Sequence, residues 1–491
     1  MIDYSEYQTH PAVPEASSLI ETFRAIGYNI ETAVADIVDN SVSALAKNIW
    51  INFEWKGSDT CLSIKDDGIG MNNDELIQAM RPGSRNPLGD RSSKDLGRFG
   101  LGLKTASFSQ CRRLSVVSRK EESATVFWTW DLDYVRDSGA WDIIKYLPEG
   151  DFENQLNTFK SGTVVIWNDI DRLVKNIRKD DNKALDKFLL IMELVKKHLS
   201  MVFHRFIESG KVKIFFQDRL IAAWNPFLTS EAATQGFPEE PLLNGRVTVK
   251  GYVLPHKSKL TEEKFLVAAG PKGWNGQQGF YVYRNERLLV AGDWLSMFRK
   301  EEHYKLARIE INLPNSLDAE WQIDIKKSIA RPPLSLTDQL KAYAGKVRAQ
   351  AVEVYRHKGK SIKQMPGQKF VPLWTDHKRG DKWFYKINRE HPLIEKVKQQ
   401  VVSEPEKSIE MLIRFIEETI PAKSIYIKEA EEPEAQGKPF EGIKQEIVLS
   451  ALQLMFTDLL RGGRSEEQAK AILLNTEPFN SFTHLFEFLT S

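Results

Sequence analysis

Three short stretches hold residue types that do chemistry in combination. "DIVDNSVSAL" (36–45) sets a carboxylate, Asp36, and an amide, Asn40, four residues apart. On a helix that spacing puts both on one face, one turn from each other, with Asp39 directed elsewhere. "IKDDGIGM" (64–71) runs from an apolar strand into Asp66 and Asp67, then Gly68 and Gly70, then Met71. Glycines at a strand end let the backbone approach a ligand closely. A carboxylate there, Asp66, accepts a hydrogen bond from an exocyclic amine such as that of adenine. "GRFGLGLKTAS" (97–107) places Gly97, Gly100 and Gly102 ahead of helix-compatible residues. Backbone N–H groups at a helix start face an anion, and a phosphate chain fits there. Each stretch alone has a plainer reading as a solvated polar helix face, a turn after a strand, or a glycine-rich loop. No Gly-x4-Gly-Lys-Ser/Thr pattern occurs, and the glycines do not follow a strand as in a dinucleotide fingerprint.

The elements that must hold these residues alternate over the first 200 positions. Helical periodicity is expected in "ASSLIETFRAIG" and in "NIETAVADIVDNSVSALAK", strands in "NIWINFEW" and "TCLSIKDDG", and a helix from the Asn72-Asn73 cap signal. Residues 81–96 carry prolines, glycines and charges without periodicity, so they read as a lid-like loop. Strands return up to "GTVVIWNDI", and an amphipathic helix at about 183–208 closes the segment. The expected domains are 1–205, then a strand-rich 206–345, a basic aromatic linker or DNA-contact segment 346–390, and a helical 391–491. At 491 residues, 42% apolar and 27% charged, the chain is too long for one core. Lys plus Arg (68) nearly cancel Asp plus Glu (67), so nucleic-acid affinity has to come from local patches. Cys61 and Cys111 are too few for a disulfide framework or a four-cysteine zinc site. No leader or membrane-spanning run is found, and a cytoplasmic location is expected.

These three motifs in this order, with "SGTVVIW" (161–167), resemble the four motifs of the GHKL ATPase superfamily of gyrase, heat-shock chaperones, histidine kinases and MutL. The likeness is nearest to the MORC and MutL branch and its bacterial relatives. It implies an α+β fold, a Bergerat-type two-layer α/β sandwich followed by a transducer-like domain. Carried over by position, it implies that Asn40 ligates Mg²⁺ and that Asp66 reads the adenine amine, with Gly68, Gly70, Met71 and Thr163 around the base. Gly97, Arg98, Phe99, Gly100, Leu101 and Gly102 would wrap the phosphates, with Lys104 adding charge. The general-base position, usually Glu, is Asp36 here, one methylene shorter, so slow hydrolysis is expected. "QGFYVYRNERLLVAGDW" looks like the transducer's strand-turn-strand, and "DIKKS" stands where such domains send a lysine to the γ-phosphate. Strand alternation favours Lys327 over Lys326.

The resemblance therefore implies ATP and Mg²⁺ as cofactors and an ATP-gated dimeric clamp. DNA is its expected object, in DNA processing or anti-phage defence, with a partner nuclease or helicase. The basic, aromatic stretch from Arg356 to Arg389, with Trp374, Lys378, Arg379 and Lys382, suits phosphate contacts and stacking. The alternative is a chaperone-like protein-remodelling ATPase or a nucleotide-gated scaffold. A histidine kinase is disfavoured, since only His10 precedes the motifs.

Overall fold

The computed structural model describes residues 14–83, 102–324, 327, 329–356, 371–379, 382–400, 405–420 and 445–489, with 7, 8, 10 and 12. It divides into two compact units, Met1–Gly359 and Lys360–Ser491.

In the first unit α1 (Ala16–Arg24) and α2 (Ile30–Ser43) precede β1 (Asn48–Glu54) and β2 (Cys61–Asp66). Then come α3 (Asn73–Met80), α4 (Gly102–Phe108), β3 (Arg113–Arg119), β4 (Val126–Asp131), α5 (Leu132–Ser138) and β5 (Gly162–Asn168). They are followed by α6 (Asn182–Val202), α7 (His204–Glu208), β6 (Lys213–Phe216) and β7 (Arg219–Leu220). The strands form one sheet, β4-β3-β5-β2-β1-β6-β7, antiparallel except that β6 runs parallel to β1. This sheet continues past residue 205, because β6 finds its only described partners in β1 and β7.

Helix starts are chemically marked. Asn29 caps α2 by accepting from the Thr32 N–H (2.9 Å). Asn72 and Glu75 make a reciprocal capping box on α3. The α2 stripe Ala33, Val34, Ile37 and Val38 is fully buried against the sheet residues Ile49, Ile51, Leu62 and Ile64. On the opposite face Phe152 and Leu156 cover Val117, Val164 and Ile166. The result is a two-layer sandwich with α2, α4 and α6 side by side on one face.

The second sheet comprises β8 (Gln235–Gly236), β9 (Glu240–Leu242), β10 (Val247–Val253), β11 (Gly279–Arg284), β12 (Arg287–Asp293) and β13 (Ala307–Leu313). Its order is β12-β11-β13-β10-β8, with β9 also on β10 and β11 parallel to β13. The β11-β12 hairpin turns at Asn285 and Glu286, both at positive φ (48° and 69°), the geometry that suits a two-residue hairpin. One face is covered by the long helix Leu334–Arg356, which follows Pro332 and Pro333. Gly251 lies so close beneath it that a Cβ would stand 2.4 Å from Val347. The other face docks on the first domain. Tyr281, Tyr283, Leu288 and Ala291 share its core, His204 bonds the Tyr283 hydroxyl (2.8 Å), and Arg205 pairs with Glu310 (2.6 Å).

In the second unit a hairpin, Trp374–Arg379 with Lys382–Ile387, precedes the helices Pro392–Gln400, Pro405–Glu418, Gln445–Arg461 and Glu466–Leu474. Its core gathers Leu452, Phe456, Leu473 and Phe479. Arg389, at the end of the basic stretch, donates to Glu410 (2.9 Å) and Glu417, while the side chains of Lys378, Arg379 and Lys382 lie outside the described residues. None of the described helices is long and apolar enough to cross a membrane.

Candidate functional site

Asp36 and Asn40 leave one face of α2 as the spacing demands, but their surroundings differ. Asp36 is 2% exposed, whereas Asn40 is exposed. The Tyr28 hydroxyl donates to Asp36 Oδ2 (2.8 Å), and Lys327 Nζ donates to Asp36 Oδ1 (3.1 Å). Lys327 also donates to Asp39 Oδ2 (2.6 Å), and the Arg287 guanidinium reaches Asp39 through Nε (3.2 Å) and lies 3.8 Å from Asp36. Asp39 therefore does not point elsewhere. Residues three apart on a helix differ by only about 60° in direction, so one cation spans both carboxylates.

Lys327 reaches this spot by a route other than strand alternation. Residues 323 and 324 are in no strand, and the Lys327 N–H closes a turn onto the Asp324 carbonyl (3.1 Å) with φ of 52°. The turn, not the pleat, aims the side chain. Lys326 lies outside the described residues, as do Gly97, Arg98, Phe99, Gly100, Leu101 and most of the expected lid at 81–96.

Two buried carboxylates and two cations make a neutral cluster. Burial raises the Asp36 pKa, and Lys327 and Arg287 only partly oppose it. Burial also presses Asp39 upward, but Arg287 and Lys327 outweigh it and hold Asp39 below its ordinary value. Burial and the Asp36 charge raise the Tyr28 phenol well above its usual range, so it is a hydrogen-bond donor at any working pH.

A second polar group forms where β2, β5 and β3 run side by side. The register pairs Asp66 with Thr163 and Thr163 with Ser118. Asp66 Oδ2 accepts from Ser41 (2.7 Å) and Oδ1 from the Gly68 N–H (2.9 Å). Ser118 bonds Thr163 (2.9 Å) and accepts from the Met71 N–H (2.9 Å). Burial pushes Asp66 up to about 6, against those two donors and the Thr163 N–H. Each carboxylate oxygen carries two lone pairs, so acceptor capacity remains for one more donor. Asp67 has a different job, accepting from the Lys47 and Asn48 N–H groups (2.7 and 2.8 Å) and bracing the start of β1.

Two expected contributors serve the fold. At Gly70 (φ 62°) a Cβ would stand 1.8 Å from the Arg119 carbonyl oxygen, so glycine is required by the neighbouring strand, whatever lies on its other side. Lys104 is buried and donates to the Ala79 carbonyl (2.8 Å), near the C-terminal end of α3, where a cation is favoured. Gly102, by contrast, opens α4 toward the cluster. Its open Cβ position has Asp36 Oδ2 as its nearest neighbour, at 4.0 Å. Among the described residues no group of three His, Cys, Asp or Glu gathers to hold a metal.

The domain is thus a two-layer α/β sandwich carrying on its helical face a carboxylate, an amide and a glycine-opened helix, with a strand-end carboxylate nearby. Residues 28–163 match the family described as histidine kinase-, DNA gyrase B-, and HSP90-like ATPase, so this segment is of the GHKL superfamily type. It is 33% identical to ATPase morc-1 of Caenorhabditis elegans over 18% of this chain and 10% of that protein. It is 29% identical to the chaperone protein HtpG of Rickettsia canadensis over 36% of this chain and 27% of the relative. The DNA mismatch repair protein MutL of Buchnera aphidicola is 29% identical over 20% and 17% respectively. The matched part thus spans about a quarter or less of each relative's length.

Sequence reasoning missed Tyr28, Asp39 and Arg287. For Asp39 the signal was present in the i, i+3 spacing. Arg287 follows the hairpin turn in a buried strand, where an unpaired charge is rare.

Proposed function

We propose that this chain is a Mg²⁺-dependent ATPase whose second domain senses the γ-phosphate through Lys327 and transmits it to DNA. The observation that supports this reading best is Lys327 of the second domain lying 3.1 Å from Asp36 in the first. In this reading Asp66 accepts from the adenine amine, with Thr163 and Gly68 beside the base. Gly102, with the glycines at 97 and 100, meets the phosphates. Asn40 holds Mg²⁺, which neutralises phosphate charge when bound. Asp36 Oδ1, released when Lys327 turns to the γ-phosphate, accepts the proton of the attacking water. Closure of the domains on ATP, with dimerisation as in relatives, makes the chain a clamp, and a MutL-like role in DNA processing or anti-phage defence follows by analogy. The HtpG likeness, which covers more of this chain than the MORC likeness, favours a protein-remodelling reading as the second choice.

The test is ATP turnover with and without duplex DNA at two salt concentrations, for the natural chain and Lys327→Met. The natural chain should turn over slowly and faster with DNA, with stimulation fading as salt rises. Lys327→Met should lower kcat by about a hundredfold while nucleotide affinity changes little, since the lysine acts on charge that develops in the transition state. Turnover indifferent to DNA would transfer the object from DNA to a protein client. Unchanged kcat in Lys327→Met would remove the sensing role.

A further inference from the structure

Asp36 has two oxygens in unequal company. Oδ1 is shared with Lys327, which belongs to the other domain and to a turn. Oδ2 is held by Tyr28 from within the first domain. Tyr28 stands between α1 and α2, is buried in the core, and is itself fixed. The Gln110 side-chain amide donates to its carbonyl (3.1 Å), and the Thr105 hydroxyl hydrogen-bonds its phenol. Thr105 is fully buried and lies three residues into α4, the helix that Gly102 opens beside Asp36. A continuous chain of contacts therefore runs from the start of α4 through Thr105 and Tyr28 to the carboxylate.

We infer that Tyr28 is a positioning residue for ATP hydrolysis: it fixes Asp36 Oδ2 so that Oδ1 alone meets the attacking water, and Thr105 makes this depend on the placement of α4. The inference rests on the ATPase reading above. A base must be aligned with the proton it takes as well as basic enough to take it, and a third group commonly supplies that alignment. The requirement is sharper here because an aspartate has only χ1 and χ2 to define its carboxylate and a shorter arm than glutamate. Without the phenol, Oδ2 is released and the carboxylate rotates between Lys327 and Arg287, so the productive orientation is populated for a fraction of the time. The proton passes from water to Oδ1. Tyr28 keeps its own proton throughout.

The experiment compares the full-length natural chain, Tyr28→Phe, Thr105→Val and the double variant, measuring steady-state turnover and the affinity for a fluorescent ATP analogue. Tyr28→Phe keeps the buried ring and should lower kcat about tenfold, with affinity within about twofold of the natural chain. Thr105→Val should lower kcat about threefold alone and add nothing in the Tyr28→Phe background, because it acts through the phenol. Wild-type turnover in Tyr28→Phe would overturn the inference while leaving the ATPase reading intact. So would affinity falling in step with kcat, or losses that multiply in the double variant, since both mark a packing role. If Tyr28→Phe fails to fold, Thr105→Val still decides, as it leaves the ring in place, and an unchanged kcat there overturns the coupling. A natural chain without turnover would remove the ATPase reading and this inference together.

Discussion

Asp36→Asn is expected to bind ATP nearly as the natural chain does and to hydrolyse it about 10²- to 10⁴-fold more slowly, the usual range for loss of a general base. The structure separates the two effects. Asp36 is 2% exposed and its oxygens face Tyr28 and Lys327, whereas the polar group at the ends of β2 and β5 includes neither. The asparagine still accepts from the Tyr28 hydroxyl through its carbonyl oxygen. Its NH₂ group, however, faces Lys327, a donor against a donor, and one of two anions has gone from a cluster with two cations. Lys327 then leans on Asp39 alone, which already receives it at 2.6 Å, so the fold should survive. Single-turnover hydrolysis beside equilibrium binding checks this. Retained hydrolysis would move the base to another group, with Asp39 the next carboxylate within reach of Lys327. An equal loss of binding would mean that the cluster's charge, not its proton transfer, is what ATP requires.

Asp66→Asn should weaken ATP binding by about 10- to 150-fold, the equivalent of about 1.5–3 kcal/mol for a hydrogen bond to a charged acceptor. The apo fold tolerates the amide, because its oxygen can keep the Gly68 N–H while its NH₂ donates to a reversed Ser41 hydroxyl. What is lost is an acceptor edge, since half of it becomes a donor facing the adenine amine. GTP, which presents a carbonyl where ATP has the amine, should gain relative to ATP. Isothermal titration with both nucleotides reads this directly, and unchanged ATP affinity would take Asp66 out of base recognition.

The same carboxylate sets a pH signature. Its pKa is raised from 3.8 to about 6 in the fold, so between those values the native state holds a proton that the unfolded chain has lost. Its contribution to stability therefore falls as pH rises from about 4 to about 6 and is flat above. ATP affinity should move the opposite way, rising through pH 6 as the acceptor ionises. In Asp66→Asn this pH dependence of affinity should disappear.

Much of the first domain was legible from sequence because its signals are local. The cap at Asn72, the i, i+4 pair on α2 and the strand running into Asp66 each depend on neighbours a few residues away. Lys327, favoured from sequence, does lie against Asp36, though residues 323 and 324 are in no strand. The hairpin around Asn285-Glu286 and the helix after Pro333 were also visible, since turn chemistry and helical periodicity are written in adjacent residues.

What the sequence by itself determined is thus a set of candidate reactive groups and the elements that carry them. Only the tertiary structure decided how those groups are paired. Asp66, Thr163 and Ser118 meet because β2, β5 and β3 are neighbours in that register, an order unrelated to their order in the chain. Asp36 and Asp39 acquire Lys327 and Arg287 from about 250–290 residues away because β12 packs on α6, and β11 and β13 dock on α7 through Tyr283 and Glu310. The same packing assigns one carboxylate oxygen to Tyr28 and the other to a residue of the second domain. Burial of two anions with two cations has no local signature, because its favourable part is Coulombic attraction between groups that only the fold brings within 4 Å.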